Sequence, residues 1–184
     1  MLISSVWRAN SRWYFSIGLL VGGATSAVLA AAFGTLLVRP FLPEAAAMGV
    51  AAAFFGVAAL HEFGLVRLRL PQNARQVPEA IENDGPISGA LQFGFEMGTG
   101  VRTYMSSALP HALVISVFLT AGWTDAIAAG LCFGAGRALM TLSRTAGNEG
   151  ERWDSALVSH ERAIRIIMTV TMAGTLALIA SRTF

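Results

Sequence analysis

Long apolar stretches separated by short polar ones organise this chain. The first is uncharged from Trp13 to Val38, between Arg12 and Arg39, and four later stretches have a similar character. About 20 consecutive apolar residues let a helix cross the hydrocarbon core of a membrane. The pattern therefore predicts an all-α bundle of transmembrane helices. Its clear crossings are residues 14–38, 45–66, 105–122, 126–143 and 166–181.

The glycine-rich segment at 86–101 leaves the number of crossings open. A full crossing there gives six spans, with six arginines on each side of the membrane. A re-entrant or short segment gives five spans, with ten arginines on one side and only Arg39 and Arg182 on the other. Because basic residues concentrate on the cytoplasmic side, the second arrangement is favoured and predicts a cytoplasmic amino terminus. Six spans remain the alternative.

The composition agrees with a protein embedded in a membrane. Of the 184 residues, 54% are hydrophobic and 13% are charged, whereas soluble domains carry about 25% charged residues. A chain of this length holds five or six spans and little else, so residues 1–184 are predicted to form one integral membrane domain. The net charge of +2 is too small to indicate a nucleic-acid partner. The expected partners are membrane lipids and either further copies of the chain or other membrane subunits.

Five residues in or near the glycine-rich segment and the spans after it are candidates for a solute or ion path. A charged side chain at membrane depth is costly unless it is paired, so such residues often mark a functional path. The alternative is a structural ion pair between Glu96 and Arg137, or an arginine that extends to the lipid headgroups. Pro110 predicts a kink beside His111, which either relays protons or bonds a neighbouring helix. The path candidates are Glu96, Thr99, Arg102, His111 and Arg137.

A second group of polar residues lies at the end of the second predicted crossing. His61 and Glu62 are adjacent, and Arg67 and Arg69 follow closely. We interpret the four mainly as an interfacial cluster, with a metal or proton role as the alternative. The three histidines of the chain lack ligand spacing, and its single cysteine, Cys132, has no second cysteine to pair with. No metal site and no cofactor are therefore predicted.

Three Gly-x-x-x-Gly pairs fall within the predicted helices, and they begin at Gly18, Gly94 and Gly130. Small residues at this spacing let two helix backbones approach closely in a membrane. For the second pair, the alternative is a broken helix whose open backbone groups bind an ion. The predicted helix-packing positions include Gly94, Gly98, Gly130 and Gly134.

The glycine-rich segment followed by Pro110 resembles the DsbD/CcdA-like thiol-electron transporters of cytochrome c biogenesis. The resemblance covers about 85–143 and implies a helix bundle with a broken central helix. Those proteins work through a pair of membrane cysteines. This chain has Cys132 alone, so their electron transfer is not implied.

These features favour a small membrane transporter or channel-like protein that moves an ion, a proton or a small solute along a polar path near Glu96. The alternative is a non-catalytic subunit that anchors or stabilises a larger membrane complex, because the loops are short and the packing faces many. An enzyme is not favoured, since the histidines and carboxylates near the predicted interfaces are isolated.

Overall fold

The computed structural model of the chain describes residues 11–68, 85, 87–100, 105, 107–145 and 150–183. The predicted all-α class is confirmed, with seven helices in these ranges. Three of them, α1, α2 and the Trp123–Arg144 part of α5, are long and apolar enough to cross a membrane. The helices are α1 (Ser11–Leu37), α2 (Glu44–Glu62), α3 (Ser88–Thr99), α4 (Leu109–Thr120), α5 (Trp123–Thr145), α6 (Gly150–Ser159) and α7 (Glu161–Thr183).

Helix α1 is the centre of the bundle, and α3, α4 and α5 pack against it. Small residues recur along it every three or four positions, which places them on neighbouring faces of the helix. A face without large side chains lets the backbone of a partner helix come close. The buried small residues of α1 include Gly18, Gly22, Gly23, Ala27, Ala31 and Gly34.

Helices α3 and α4 lie end to end along α1 and run in the same direction as α1. Gly94 of α3 lies against Phe15, and Gly98 lies against Leu19. Further along, the buried cluster around Ala27 and Ala31 contains Val117 of α4, with Leu113 packed against it. Helix α3 therefore follows the first half of α1, and α4 follows the second half.

The chain breaks between these two helices. Gly100 ends α3 with a left-handed backbone, φ 73°, a conformation that glycine adopts without the steric cost paid by other residues. Pro110 lies in the first turn of α4, where its missing N–H removes no helical hydrogen bond. It therefore helps to start a helix, and the predicted kink inside a span is wrong. At 12 residues α4 is also shorter than the predicted crossing at 105–122.

The other helices run antiparallel to their main partners. Gly130 of α5 lies against Gly23 of α1, and Gly134 lies against Leu19, so the numbering rises on one helix as it falls on the other. Ala58 of α2 clusters with Ala108 and Ala112, whereas Ala47 and Ala51 cluster with Leu119 near the opposite end of α4. Helix α7 packs on this α2–α4 pair, where Met172 contacts the Ala58 cluster.

Candidate functional site

A cavity of about 430 Å³ lies at the break between α3 and α4. Gly23 and Ala27 line it from the middle of α1, Gly100 from the break, Val114 from α4 and Phe133 from α5. Its volume lies within the range of small-molecule sites, about 300–1,000 Å³. The lining is almost entirely apolar, so a molecule that enters leaves most of its water behind.

Two hydroxyl groups and one imidazole supply the side-chain polar character of this cavity. The Ser26 hydroxyl donates to the Thr99 carbonyl at 3.0 Å, and the Thr99 hydroxyl donates to the Glu96 carbonyl at 2.7 Å. These bonds occupy carbonyl groups that the end of α3 leaves without helical partners. His111 lines the cavity from the first turn of α4. Ser26 was not a predicted site residue, because one serine in an apolar helix gives no signal in the sequence.

The structure describes four of the five predicted path residues. Thr99 and His111 line the cavity, whereas Glu96 and Arg137 do not, and Arg102 lies outside the described residues. Glu96 is two positions from Gly94 and from Gly98, which places it on the face of α3 opposite the glycines that meet α1. The ion pairs among the described residues do not include Glu96 with Arg137.

Arg137 of α5 lies over an aromatic ring. Its guanidinium carbon is 5.7 Å from the centroid of the Phe133 ring on the preceding turn. At this distance the cation is attracted to the face of the ring. Phe133 itself lines the cavity, so Arg137 contributes by holding a cavity wall.

The predicted glycine pairs lie where α3 and α5 meet α1. A Cβ atom at Gly94, Gly98, Gly130 or Gly134 would overlap a backbone carbonyl oxygen of α1. Gly34 of α1 makes the same kind of contact with Phe118 of α4. That contact was missed, because Gly34 has no glycine partner four residues away in the sequence.

Glu62 is a buried carboxylate at the amino end of α4. Its side chain is 1% exposed. One carboxylate oxygen accepts the N–H of Ala108 at 2.6 Å and the hydroxyl of Ser107 at 2.9 Å. The other carboxylate oxygen accepts a hydrogen bond from Nη1 of Arg165, on α7, at 2.8 Å. The negative charge therefore lies at the positive end of the α4 dipole, and one side chain joins α2, α4 and α7.

Three of the four residues of the predicted interfacial cluster are described. Glu62 is paired with Arg165 of α7, Arg67 is exposed, and Arg69 lies outside the described residues. The His61 ring turns into the loop after α2, where its Nδ1 lies 2.9 Å from the Val66 carbonyl oxygen and 3.2 Å from the Leu68 nitrogen. His61 and Glu62 have different partners because successive helical residues point about 100° apart.

Arg39 binds the opposite end of α4. Its guanidinium donates to the carbonyls of Val117 at 2.7 Å, Phe118 at 3.0 and 3.1 Å and Ala121 at 2.8 Å. These are carbonyls that a helix end leaves open, and a cation there is favoured by the dipole. Helix α4 thus has Glu62, from the end of α2, at its positive end and Arg39, from the turn between α1 and α2, at its negative end.

Six of the seven described helices form two units, and α6 belongs to neither. We call α1, α3 and α5 the glycine-packed unit, because their backbones meet at glycines. We call α2, α4 and α7 the charge-capped unit, because Glu62, Arg39 and Arg165 join them. The cavity lies between the units, with α1 and α5 on one side and α4 on the other.

Comparison with models of protein families, with curated proteins and with solved structures gives no match to this chain. Among the described residues, no group of three His, Cys, Asp or Glu side chains is placed to hold a metal ion. The functional argument therefore depends on the cavity, the helix break and the buried charges.

Proposed function

We propose that this protein is a small integral membrane transporter whose solute site is the cavity at the break between α3 and α4. The observation that carries the proposal is the position of the cavity, beside the middle of α1 where one half-helix ends and another begins. Transporters commonly bind their solutes at such breaks, because a broken helix offers backbone groups that a continuous helix keeps internally bonded.

We further infer five crossings: α1, α2, the α3–α4 pair, α5 and α7. Twelve residues of helix span about 18 Å, so α3 and α4 stacked along α1 together match a hydrocarbon core of about 30 Å. Arg102, between α3 and α4 in the sequence, and Arg137, inside α5, are assigned to neither side of the membrane. Nine of the other arginines then lie on the side where the chain begins. Arg39 and Arg182 lie on the other. This asymmetry supports a cytoplasmic amino terminus.

The lining of the cavity favours a compact, neutral and largely apolar solute with one hydrogen-bonding group. An inorganic ion would lose its hydration shell there and find few oxygen ligands in return. Thr99 and His111 are then the side chains that orient the solute, and Glu96 is not. The proposed path is therefore less polar than the path predicted from the sequence.

The test is uptake by proteoliposomes of a panel of labelled probes: neutral alcohols and amides, short carboxylates, amines and rubidium ion. We expect uptake of neutral probes above the level of protein-free liposomes. Ala129→Trp should lower that uptake about tenfold, because the indole fills the cavity that Ala129 lines. Ala128→Trp on the exposed face of the same helix is the matched control and should stay within about twofold.

Two results would contradict transport. One is uptake equal to that of empty liposomes for every probe. The other is a combination of two findings. Native mass spectrometry of the protein, extracted in mild detergent, would find foreign subunits in fixed proportion, and the two tryptophan variants would show equal uptake. The second result would favour the alternative predicted from the sequence, a non-catalytic subunit of a larger membrane complex.

A further inference from the structure

We infer that the cavity receives its solute sideways from the hydrocarbon of the bilayer, and that this solute is a neutral single-chain amphiphile with a hydrogen-bond donor, such as a long-chain alcohol. Both the entrance and the solute class rest on the proposed function, because they belong to the same cavity. Three features of the cavity support them: two exposed side chains in its lining, the depth of its polar groups and the direction of their hydrogen bonds.

The cavity reaches the outer surface of the bundle beside the end of α3. Two large side chains of its lining, Leu29 of α1 and Val114 of α4, are 52% and 50% exposed. Leu29 lies two helical turns after Gly22, on the face of α1 that α3 covers as far as Thr99. Because α3 ends there, this face continues as exposed side chains to Phe33. An apolar groove therefore leads from the cavity to the outside of the bundle.

The groove opens at the depth of the hydrocarbon core. Ser26, which lines the cavity, lies fifteen residues after Ser11 and eleven before Leu37, the two ends of α1. At 1.5 Å per helical residue, Ser26 is about 22 Å from one end of α1 and about 16 Å from the other. It therefore lies near the middle of a hydrocarbon core about 30 Å thick. A solute that arrives at this opening has already left water, which favours molecules that dissolve in the bilayer.

The depth and the charge of the site favour a neutral single-chain molecule over a phospholipid. A phospholipid headgroup stays at the membrane surface, because a charged phosphate at the centre of the bilayer is costly. The residues that line the cavity include no arginine and no acidic residue that would pair with an ion there. A molecule with one uncharged polar group can bring this group to Ser26 and His111. Its apolar chain then fills the rest of the cavity and leaves along the groove at Leu29.

The hydrogen bonds of the cavity wall favour a solute that donates. A hydroxyl group carries one hydrogen, and the Ser26 hydroxyl donates it to the Thr99 carbonyl at 3.0 Å. The Thr99 hydroxyl donates its own hydrogen to the Glu96 carbonyl. Ser26 therefore offers a solute only the lone pairs of Oγ, whereas the His111 ring offers a donor or an acceptor according to its tautomer. An alcohol satisfies both side chains, but an ether has no hydrogen to donate to Ser26.

The experiment maps where the two ends of a long-chain alcohol lie. Full-length protein in phosphatidylcholine liposomes receives a trace of hexadecanol with a photoactivatable diazirine, either beside the hydroxyl group or at the methyl end. Mass spectrometry after irradiation locates the labelled residues. We expect the first probe to label 23–27 of α1 and Phe133, and the second to label Leu29 and Phe33. An alcohol that is only dissolved in the bilayer keeps its hydroxyl group at the surface, so its first probe would label the ends of the helices.

Two comparisons tie the label to the cavity and to the donor. Ala129→Trp should lower labelling of 23–27 by the first probe about tenfold, because the indole fills the cavity that Ala129 lines. Ala128→Trp, on the exposed face of the same helix, should change it by less than about twofold. Unlabelled hexadecanol should compete with the probe about fivefold better than hexadecyl methyl ether, the effect of one hydrogen bond.

Each part of the inference has a result that overturns it. Labelling by the first probe at the helix ends alone, or equal patterns from the two probes, overturns the lateral entrance, even where neither tryptophan variant is recovered folded. Equal competition by the alcohol and the ether overturns the donor. Labelling of Phe133 by a phosphatidylcholine with a diazirine on its acyl chain, as strong as that by the first probe, overturns the single-chain solute. These measurements detect binding, so an absence of uptake together with the expected labelling would contradict transport alone.

Discussion

In the glycine-packed unit the helices meet backbone to backbone, whereas in the charge-capped unit they meet around ionised side chains. Gly98 and Gly134 both lie against Leu19, with no side chain between the helices. In the other unit, Glu62 and Arg39 bind the two ends of α4. Close van der Waals contact requires small residues at the interface, and a buried ion pair requires both of its partners. The first unit is therefore sensitive to added side-chain volume, and the second to the loss of one charge.

The largest effect is expected from removing the buried carboxylate. Glu62→Ala removes the buried partner of Arg165, which keeps only the exposed Glu161, and leaves the amino end of α4 without its acceptor. We expect a loss of about 3–5 kcal/mol in the free energy of unfolding, measured by SDS titration in mixed micelles. The control is Glu161→Ala, which removes an exposed partner of the same arginine and should cost below about 1 kcal/mol.

The double variant Glu62→Gln/Arg165→Gln sharpens this result. Removing both charges leaves neither without its partner, so the double variant should lose less stability than the sum of the losses of Glu62→Gln and Arg165→Gln measured singly. Additive losses would mean that the two side chains act independently, and the charge-capped unit would lose its defining contact.

The next effect tests the glycine-packed unit. Gly134→Ala places a methyl group against the carbonyl oxygen of Leu19, so that the two helices must shift apart. We expect a loss of about 1–3 kcal/mol by the same titration. Gly136→Ala, two positions along, meets no atom within 4 Å and should be neutral or stabilising by up to about 1 kcal/mol, because alanine favours helix. Equal effects of the two would contradict backbone-to-backbone packing.

Hydropathy was enough to predict the helix class and the three long apolar helices. The glycine-rich segment predicted at 86–101 contains a continuous helix, α3, that ends at Gly100. The stacking of α3 and α4 along α1 was not predictable. Hydropathy shows how long each apolar segment is, but it does not show that two short helices follow one another along the same neighbouring helix. Pro110 illustrates the limit. The same residue breaks a helix in its interior and starts one in its first turn, and only the helix boundary decides between the two.

The candidate site was predictable only where its residues are close in sequence. Thr99 and the glycines around it lie at the break, and His111 follows it closely. The partner of Glu62 is 103 positions away in the chain, and nothing in either local sequence indicates it. Arg39 was interpreted only as a marker of topology, because a cap on a distant helix end has no signature beside the arginine.

A smaller effect is expected at the wall of the cavity. Ser26→Ala removes the hydroxyl that binds the Thr99 carbonyl across the gap between α1 and α3. We expect a loss of about 1 kcal/mol in the free energy of unfolding, together with a change in uptake of the neutral probes. Thr25→Ala is the matched control, because the Thr25 hydroxyl binds within its own helix, to Val21. If Thr25→Ala lost as much unfolding free energy as Ser26→Ala, the hydrogen bond between α1 and α3 would not explain the effect of Ser26→Ala.

The smallest effect is expected at an ion pair that lies in neither unit. Arg144 donates to both carboxylate oxygens of Asp154 on α6, at 2.9 and 2.8 Å, and both side chains are partly exposed. The hydrogen bond from Arg144 lowers the pKa of Asp154. A lowered carboxyl pKa contributes stability above the pKa of the unfolded chain, about 3.9, and loses it as the pH falls through the folded value. Asp154→Asn should therefore unfold at a slightly lower SDS fraction than the native protein near neutral pH, because water screens both partly exposed charges, and this difference should disappear in acid. If Asp154→Asn lost as much unfolding free energy at neutral pH as Glu62→Ala, then ion pairing, and not burial, would explain the contribution of the charge-capped unit's charges to stability.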